Sequence, residues 1–205
     1  MANKVMKTGN GKTGRPISFD KNAALEAAML LFWERGFEGT SMADLTQAMG
    51  LSPSSIYAAF GNKHALFSLA VKRYLDSRAQ YATDALEKPT LEKVIRALFG
   101  NTVAFLTSPG HPPTCMTLAG AMGCSVDAAP ARDLLTEVRK QNEAAIRARL
   151  LKARKSGELS KDIDVNDYTR YLSSILAGLS VQAANGSTKA ELRRTAEMAL
   201  RHLGY

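Results

Sequence analysis

Apolar residues recur at three- and four-residue intervals along most of the chain, and no stretch alternates apolar and polar positions as a half-buried strand would. The pattern predicts an all-α fold of about nine helices. In FDKNAALEAAMLLFWERGFEGTS, Leu25, Ala28 and Phe32 fall on one face, and Gly36-Phe37 ends the helix. Ser41 then begins a short helix, with Asp44 placed three residues on to complete a capping box and Met42, Leu45 and Met49 turned to one side. Gly50 can take the left-handed backbone that closes a helix, and Leu51 buries in the corner. Ser52 caps a second short helix with Pro53 in its first turn. Its inward residues are Ile56 and Phe60, which leaves Ser54, Ser55, Tyr57, Ala58 and Ala59 outside. Asn62 caps a longer helix carrying Leu66, Phe67, Ala70, Val71 and Tyr74.

Beyond Lys88-Pro89-Thr90, which breaks the pattern, Leu91, Val94, Ile95, Leu98, Phe99, Thr102, Phe105 and Leu106 keep a helical rhythm. Pro109, Pro112 and Pro113 force a loop over 108–114. CMTLAGAMGCSV is small and apolar on all sides and predicts a short buried helix. Pro130 opens a long charged helix to about Ser156, ended by Gly157. Another runs from Asp164 or Asn166 to about Asn185, and Thr188 with Glu191 caps the last one. This divides the chain into a basic arm at 1–17, a three-helix unit at 18–75 and a helical unit at 76–205.

A helix, a Gly-Leu turn and a short second helix with small polar outward residues make a helix-turn-helix, whose second helix fits the major groove of DNA. At one fixed register, Ala28, Leu31-Phe32, Gly36-Phe37, Thr40-Ser41, Leu45, Ala48, Gly50-Leu51-Ser52, Ile56-Tyr57, Phe60, Lys63 and Ala65-Leu66 resemble the TetR family of one-component transcriptional regulators. The departure is Ala59, where many relatives carry an aromatic residue or His, so their operators do not transfer. In this frame Ser54, Ser55 and Ala58, beside Ser52, face base edges. Thr40 and Ser41 at a helix N-terminus hold phosphate, Tyr57 donates its hydroxyl to phosphate, and Lys63 adds charge. His64 reads as a surface residue or a contact to the DNA backbone rather than a general base.

One recognition helix reads too few base pairs to find one site in a genome, so two-fold pairing on an inverted repeat is expected, with half-sites about 34 Å apart or a multiple of it. Ser173, Ala177, Ser180 and Ala184 form a small-residue stripe flanked by Leu172, Ile175, Leu176 and Leu179, and the last helix adds Leu192, Ala196, Ala199 and Leu203. These are the candidate homodimer surface, and the resemblance implies a four-helix interface there. The middle helices are the candidate site for a small-molecule effector. Phe99, Val103, Phe105, Met116, Leu118 and Met122 would be its walls, and Thr102, Thr117, Asn142 and Tyr171 its orienting groups. Packed core is the competing assignment for each.

Composition changes this picture in a few places. The 205 residues carry a formal net charge of +8, and residues 1–75 account for +4 of it with nine Lys and Arg against five Asp and Glu. The charge therefore favours a polyanionic partner without marking the N-terminal unit alone. The arm holds Lys4, Lys7, Lys12 and Arg15 and no acid; it reads as disordered in isolation, and Arg15 is placed to enter a minor groove. No apolar run of about 18 residues occurs and the first residues carry no secretory signal, which predicts a cytoplasmic protein without membrane contact. Cys115 and Cys124 are too few for a disulfide framework; with His111 they raise a metal site, which lacks a fourth ligand, and a redox switch, which no nearby cation supports. No phosphate loop, dinucleotide fingerprint or nucleophile elbow is present, so neither an enzyme nor a cofactor is expected. An all-α module that binds protein rather than DNA is the remaining alternative.

Overall fold

A computed structural model of the chain describes residues 19–119 and 125–205, which form ten α-helices and one 3-10 turn at Val126–Ala128, with no strand among them. The helices are α1 (Lys21–Arg35), α2 (Met42–Met49), α3 (Pro53–Phe60), α4 (Lys63–Ser77), α5 (Gln80–Leu86), α6 (Leu91–Leu106), α7 (Met116–Ala119), α8 (Ala129–Ser156), α9 (Val165–Ala184) and α10 (Lys189–His202). Six helices start on a side chain that accepts from the free N–H groups of the first turn: Asp20, Ser41, Ser52, Asn62, Thr90 and Asp164. Thr188 does the same for α10, with Glu191 completing a capping box. The helix beyond the expected nine is α5, seven residues with no side-chain cap and only Ala85 buried. Such a segment carries neither a start signal nor an apolar stripe. Arg15 with the 1–17 arm, Met122 and Cys124 lie outside the described residues.

Two cores organise the fold. The first is built on α1, which buries Ala24, Ala28, Met29, Phe32 and Trp33 and is therefore apolar on more than one side; Leu25, expected on its inner face, is half-buried. Leu45, Met49, Ile56 and Phe60 pack α2 and α3 into this core, and Leu66, Phe67, Ala70, Val71 and Tyr74 pack α4. Met116, Ala128, Ala131, Leu135 and Val138 complete it from the second half of the chain, so the three-helix unit does not close on itself at residue 75. Glu26 on α1 pairs with both Arg73 and Arg78 at the far end of α4.

The second core gathers α5, α6, the later part of α8, α9 and α10 around Ile95, Phe99, Leu150, Leu172, Leu179 and Leu192. At 28 residues α8 is about 42 Å long. It serves both cores, with Leu135 in the first and Leu150 in the second. None of the described helices is long and apolar enough to cross a membrane.

Candidate nucleic-acid interface and effector cavity

The outward face of α3 is set by what holds the helix down. Ser41 and Asp44 form a reciprocal capping box, and Arg35 reaches Asp44 at 3.2 Å, fixing α2 to the end of α1. Gly50 sits at φ 63° and ψ 29°, a left-handed backbone that costs glycine little, and lets the Leu51 N–H reach the Thr46 carbonyl. Ser52 and Pro53 then start α3, and Ile56 and Phe60 bury its inner side. What remains outside is Ser54, Tyr57 and Ala58; Tyr57 is 51% exposed and its hydroxyl bonds to nothing within the described residues. The hydroxyls of Ser54 and Ser55 each lie 2.9 Å from that of Ser52, so three serines cluster at the start of the helix. Ser55 is half-buried. Ala59, expected outside, is also half-buried and packs on the first core.

Two expected phosphate ligands are committed elsewhere. Thr40 is fully buried and donates its hydroxyl to the Gly36 carbonyl at 2.7 Å. Ser41 gives both its N–H and its hydroxyl to the Asp44 carboxylate, so the capping box already supplies the anion at this N-terminus. His64, expected at the surface or on phosphate, donates through Nε2 to the Asp127 carbonyl at 3.1 Å and lies 4.5 Å from the Phe37 ring, tying α4 to the 3-10 turn. From Thr40 to Asn62 the one charged side chain is Asp44. Positive charge instead flanks α3: Lys63 sits 4.3 Å from the centre of the Phe37 ring and Lys21 5.2 Å from that of Phe60. Burial lowers the Lys63 pKa below its ordinary 10.5, opposed by the nearby charges of Glu38 and Asp44.

A cavity of about 430 Å³ opens between α4, α5, α6, α8 and α9 and the segment around Cys115. Of the expected ligand contacts, Thr102, Thr117, Leu118 and Asn142 line it. Phe99 and Val103 do not: they lie one position round α6 from the lining residues Leu98, Thr102 and Leu106 and pack into the second core. Phe105 stacks in an aromatic cluster, Met116 belongs to the first core and Tyr171 faces solvent. Sequence reasoning missed Tyr74, Tyr81, Cys115, Arg139 and Ser180 on the walls. Arg139 lies in a strongly charged stretch that looks like a solvated face, and the others are brought in by tertiary packing.

Of the small-residue stripe expected at a dimer surface, Ala184 is exposed and the other three face the cavity. Ser173, Leu176, Ala177 and Ser180 border the cavity. Leu172, Leu192 and Ala196 are buried in the second core, and Ile175, Ala199 and Leu203 pack half-buried against it. Small side chains here border a void. The apolar side chains that α9 and α10 leave exposed are Tyr171, Val181 and Met198.

Bonds from α1 and α4 reach the segment that forms part of the cavity wall. Trp33 on α1 donates through Nε1 to the Thr114 carbonyl at 2.9 Å, and its ring stacks on His111 at 4.6 Å, which in turn stacks on Phe105 at 4.6 Å. The next residue, Cys115, donates its backbone N–H to the Ser180 hydroxyl at 2.8 Å, and its sulfur accepts from the Tyr74 hydroxyl at 3.5 Å. Burial raises the Tyr74 pKa well above its ordinary 10, so this hydroxyl stays a donor. Among the described residues no group of three or more His, Cys, Asp and Glu could hold a metal.

Comparison with known proteins matches each half separately. Residues 24–70 match the family model for bacterial regulatory proteins of the tetR family, and residues 91–199 match that for tetracyclin repressor-like C-terminal domains. The chain is 32% identical to the HTH-type transcriptional repressor ComR of Escherichia coli over 92% of its own length and 90% of that protein. It is 30% identical to the HTH-type transcriptional repressor BdcR of the same organism, over 95% and 94%. Among solved structures, a cysteine mutant of the TetR family transcriptional regulator CifR, complexed with 26-base-pair double-strand operator DNA, superposes with a TM-score of 0.88. That match has 36% identity and covers 92% of this chain and 98% of the other.

Proposed function

The chain belongs to the TetR family of bacterial transcriptional regulators, not enzymes, and from that premise we propose that it is a cytoplasmic homodimeric repressor, released from an inverted-repeat operator by a small molecule. The observation that carries this reading is the pairing of a capped, outward-facing α3 with a cavity whose wall hangs from α1 and α4. Ser54 and Ala58 meet base edges, with Ser52 and Ser55 holding the start of the helix, and Tyr57 donates to phosphate. Lys63, and Arg15 from the N-terminal arm, add sequence-independent attraction. A ligand that binds the cavity better when the Cys115 segment has shifted pulls on Trp33 and Tyr74, and through α1 and α4 changes the separation of the two α3 helices. Only such differential affinity can move the equilibrium. Two relatives of similar length are named as repressors, and the DNA-bound relative supports the operator partner.

Selection of random duplex DNA by the purified protein, with salt titration of the enriched sequences, tests the reading. An inverted repeat bound with a steep salt dependence is the expected result. Weak binding without an enriched repeat, with and without candidate ligands, would overturn it and leave a helical module whose partner is not DNA.

A further inference from the structure

The polar groups on the cavity wall are unequal in their partners. Arg139, half-buried on α8, spends two of its N–H groups on neutral acceptors, the Thr117 carbonyl at 2.6 Å and the Thr136 hydroxyl at 2.8 Å. Among the described residues no carboxylate lies within ion-pair distance of it. Arg170, the other arginine on the wall, already pairs with Asp167 at 2.9 Å, and Glu143, one turn along α8, makes no ion pair with Arg139. The two bonds orient the guanidinium and leave it three N–H donors beside the cavity, with Glu143, the one carboxylate among the described lining residues, not paired to it. On α6 Thr102 is 94% buried, and its hydroxyl donates to nothing within the described residues. The Ser173 hydroxyl on α9, also bordering the cavity, is enclosed without a partner among the described residues. The rest of the lining is largely apolar: Leu98, Leu106, Leu118, Ile146 and Leu176.

We propose that the cavity is built for a small amphipathic monocarboxylic acid, its carboxylate on Arg139 and its apolar body against these leucines and Ile146. The inference rests on the effector reading above and specifies the ligand. A guanidinium fork holds a carboxylate through two parallel charge-assisted bonds, which no neutral group reproduces. One unpaired cation matches one negative charge; a phosphate dianion would leave charge unmatched among apolar walls. Thr102 adds a neutral donor for further polar atoms of the ligand. The volume is at the small end of the range of about 300–1,000 Å³ for ligand sites, which excludes bulky amphiphiles.

Trp33, the sole tryptophan, bonds to the carbonyl next to Cys115 on the cavity wall, so its fluorescence reports on the site. The test titrates the full chain with 4-phenylbutanoate and octanoate, and with the primary amides of both acids as neutral isosteres. Saturable binding of the acids, about tenfold or more tighter than of the amides, is expected from the loss of charge-assisted bonds. In Arg139→Gln the acids should fall to the affinity of the amides, while amide binding and thermal unfolding stay as in the wild type, which excludes a folding defect. Equal affinity for acid and amide, an acid preference that survives in Arg139→Gln, or no saturable binding by any of the four compounds would overturn the inference. Amides that release the operator as well as the acids do would sink it and leave the effector reading standing. Acids that bind through Arg139 and leave operator affinity unchanged would sink the effector reading alone.

Discussion

A recognition helix without a charged side chain has to borrow its attraction for DNA from its neighbours, and Lys63 is placed to lend it. Lys63 begins α4, two residues separate it from the end of α3, its ammonium lies over the Phe37 ring, and among the described residues no carboxylate pairs with it within 4 Å. Burial already lowers its pKa, so contact with phosphate, which favours the charged form, meets a partly desolvated cation. Lys63→Ala should weaken binding to operator and to unrelated duplexes by a similar factor. It should also reduce the slope of log affinity against log salt by about one. Binding isotherms on both duplexes over a salt series check this; a loss confined to the operator would assign Lys63 to base recognition instead. Thr40 and Ser41 show the opposite case, residues whose type suits phosphate and whose hydroxyls the fold has already used.

At the scale of elements, what the sequence revealed was whatever is decided locally. Capping boxes, the left-handed Gly50 and the Ser52-Pro53 start lie within a few residues of what they control, so α2, α3 and α10 were legible with their boundaries. Which side of a helix faces what was less so. In α6 the i, i+3, i+4 rhythm marks the residues that leave water, but not which of them meet a core and which meet a void, and Phe99 and Thr102 part company on that distinction. The Ser173, Ala177, Ser180, Ala184 stripe is ambiguous for the same reason, since small side chains serve a close helix contact and a cavity equally well. Nor does helical periodicity announce the bridge between α1 and α4. Desolvation pushes the Glu26 carboxyl up, but hydrogen bonds from Arg78 and Arg73 and their charges outweigh it, so its pKa lies below the ordinary 4.5. A depressed carboxyl stabilises the folded state above its unfolded value and loses that contribution as pH falls through the folded one. Melting temperature should therefore drop on acidification below about pH 4.5. In Glu26→Gln it should start lower at neutral pH and fall less steeply over the same interval. An unchanged acid limb in the variant would show that this bridge does not link α1 to α4 energetically.

At the scale of the whole molecule the two cores and the shared α8 make one subunit, yet one recognition helix reads too few base pairs to find a single site. Pairing needs a surface that a single chain leaves unfilled. On α9 the exposed Tyr171, Ser174, Gly178 and Val181 follow one another at helical spacing; on α10 Met198 is 65% exposed. A helix without a side chain at Gly178 can be approached closely, since a Cβ there would meet nothing within 4 Å. Mutual burial of this stripe with Met198 from a second copy would hold two α3 helices at one fixed separation. Charge at Val181 or Met198 must be desolvated on association, yet neither residue lines the cavity or belongs to a core, so the subunit itself should fold as before. Val181→Glu with Met198→Glu, like charges brought face to face across such an interface, should accordingly convert a dimer to a monomer in sedimentation velocity without altering helix content or the binding of cavity ligands. Without the tether between half-sites, affinity for an inverted repeat should fall by about 100-fold or more, towards that for an isolated half-site. A double variant that stays dimeric would move the interface off α9 and α10. One that becomes monomeric and keeps full affinity would mean that a single α3 suffices for the operator, against the energetic argument for pairing.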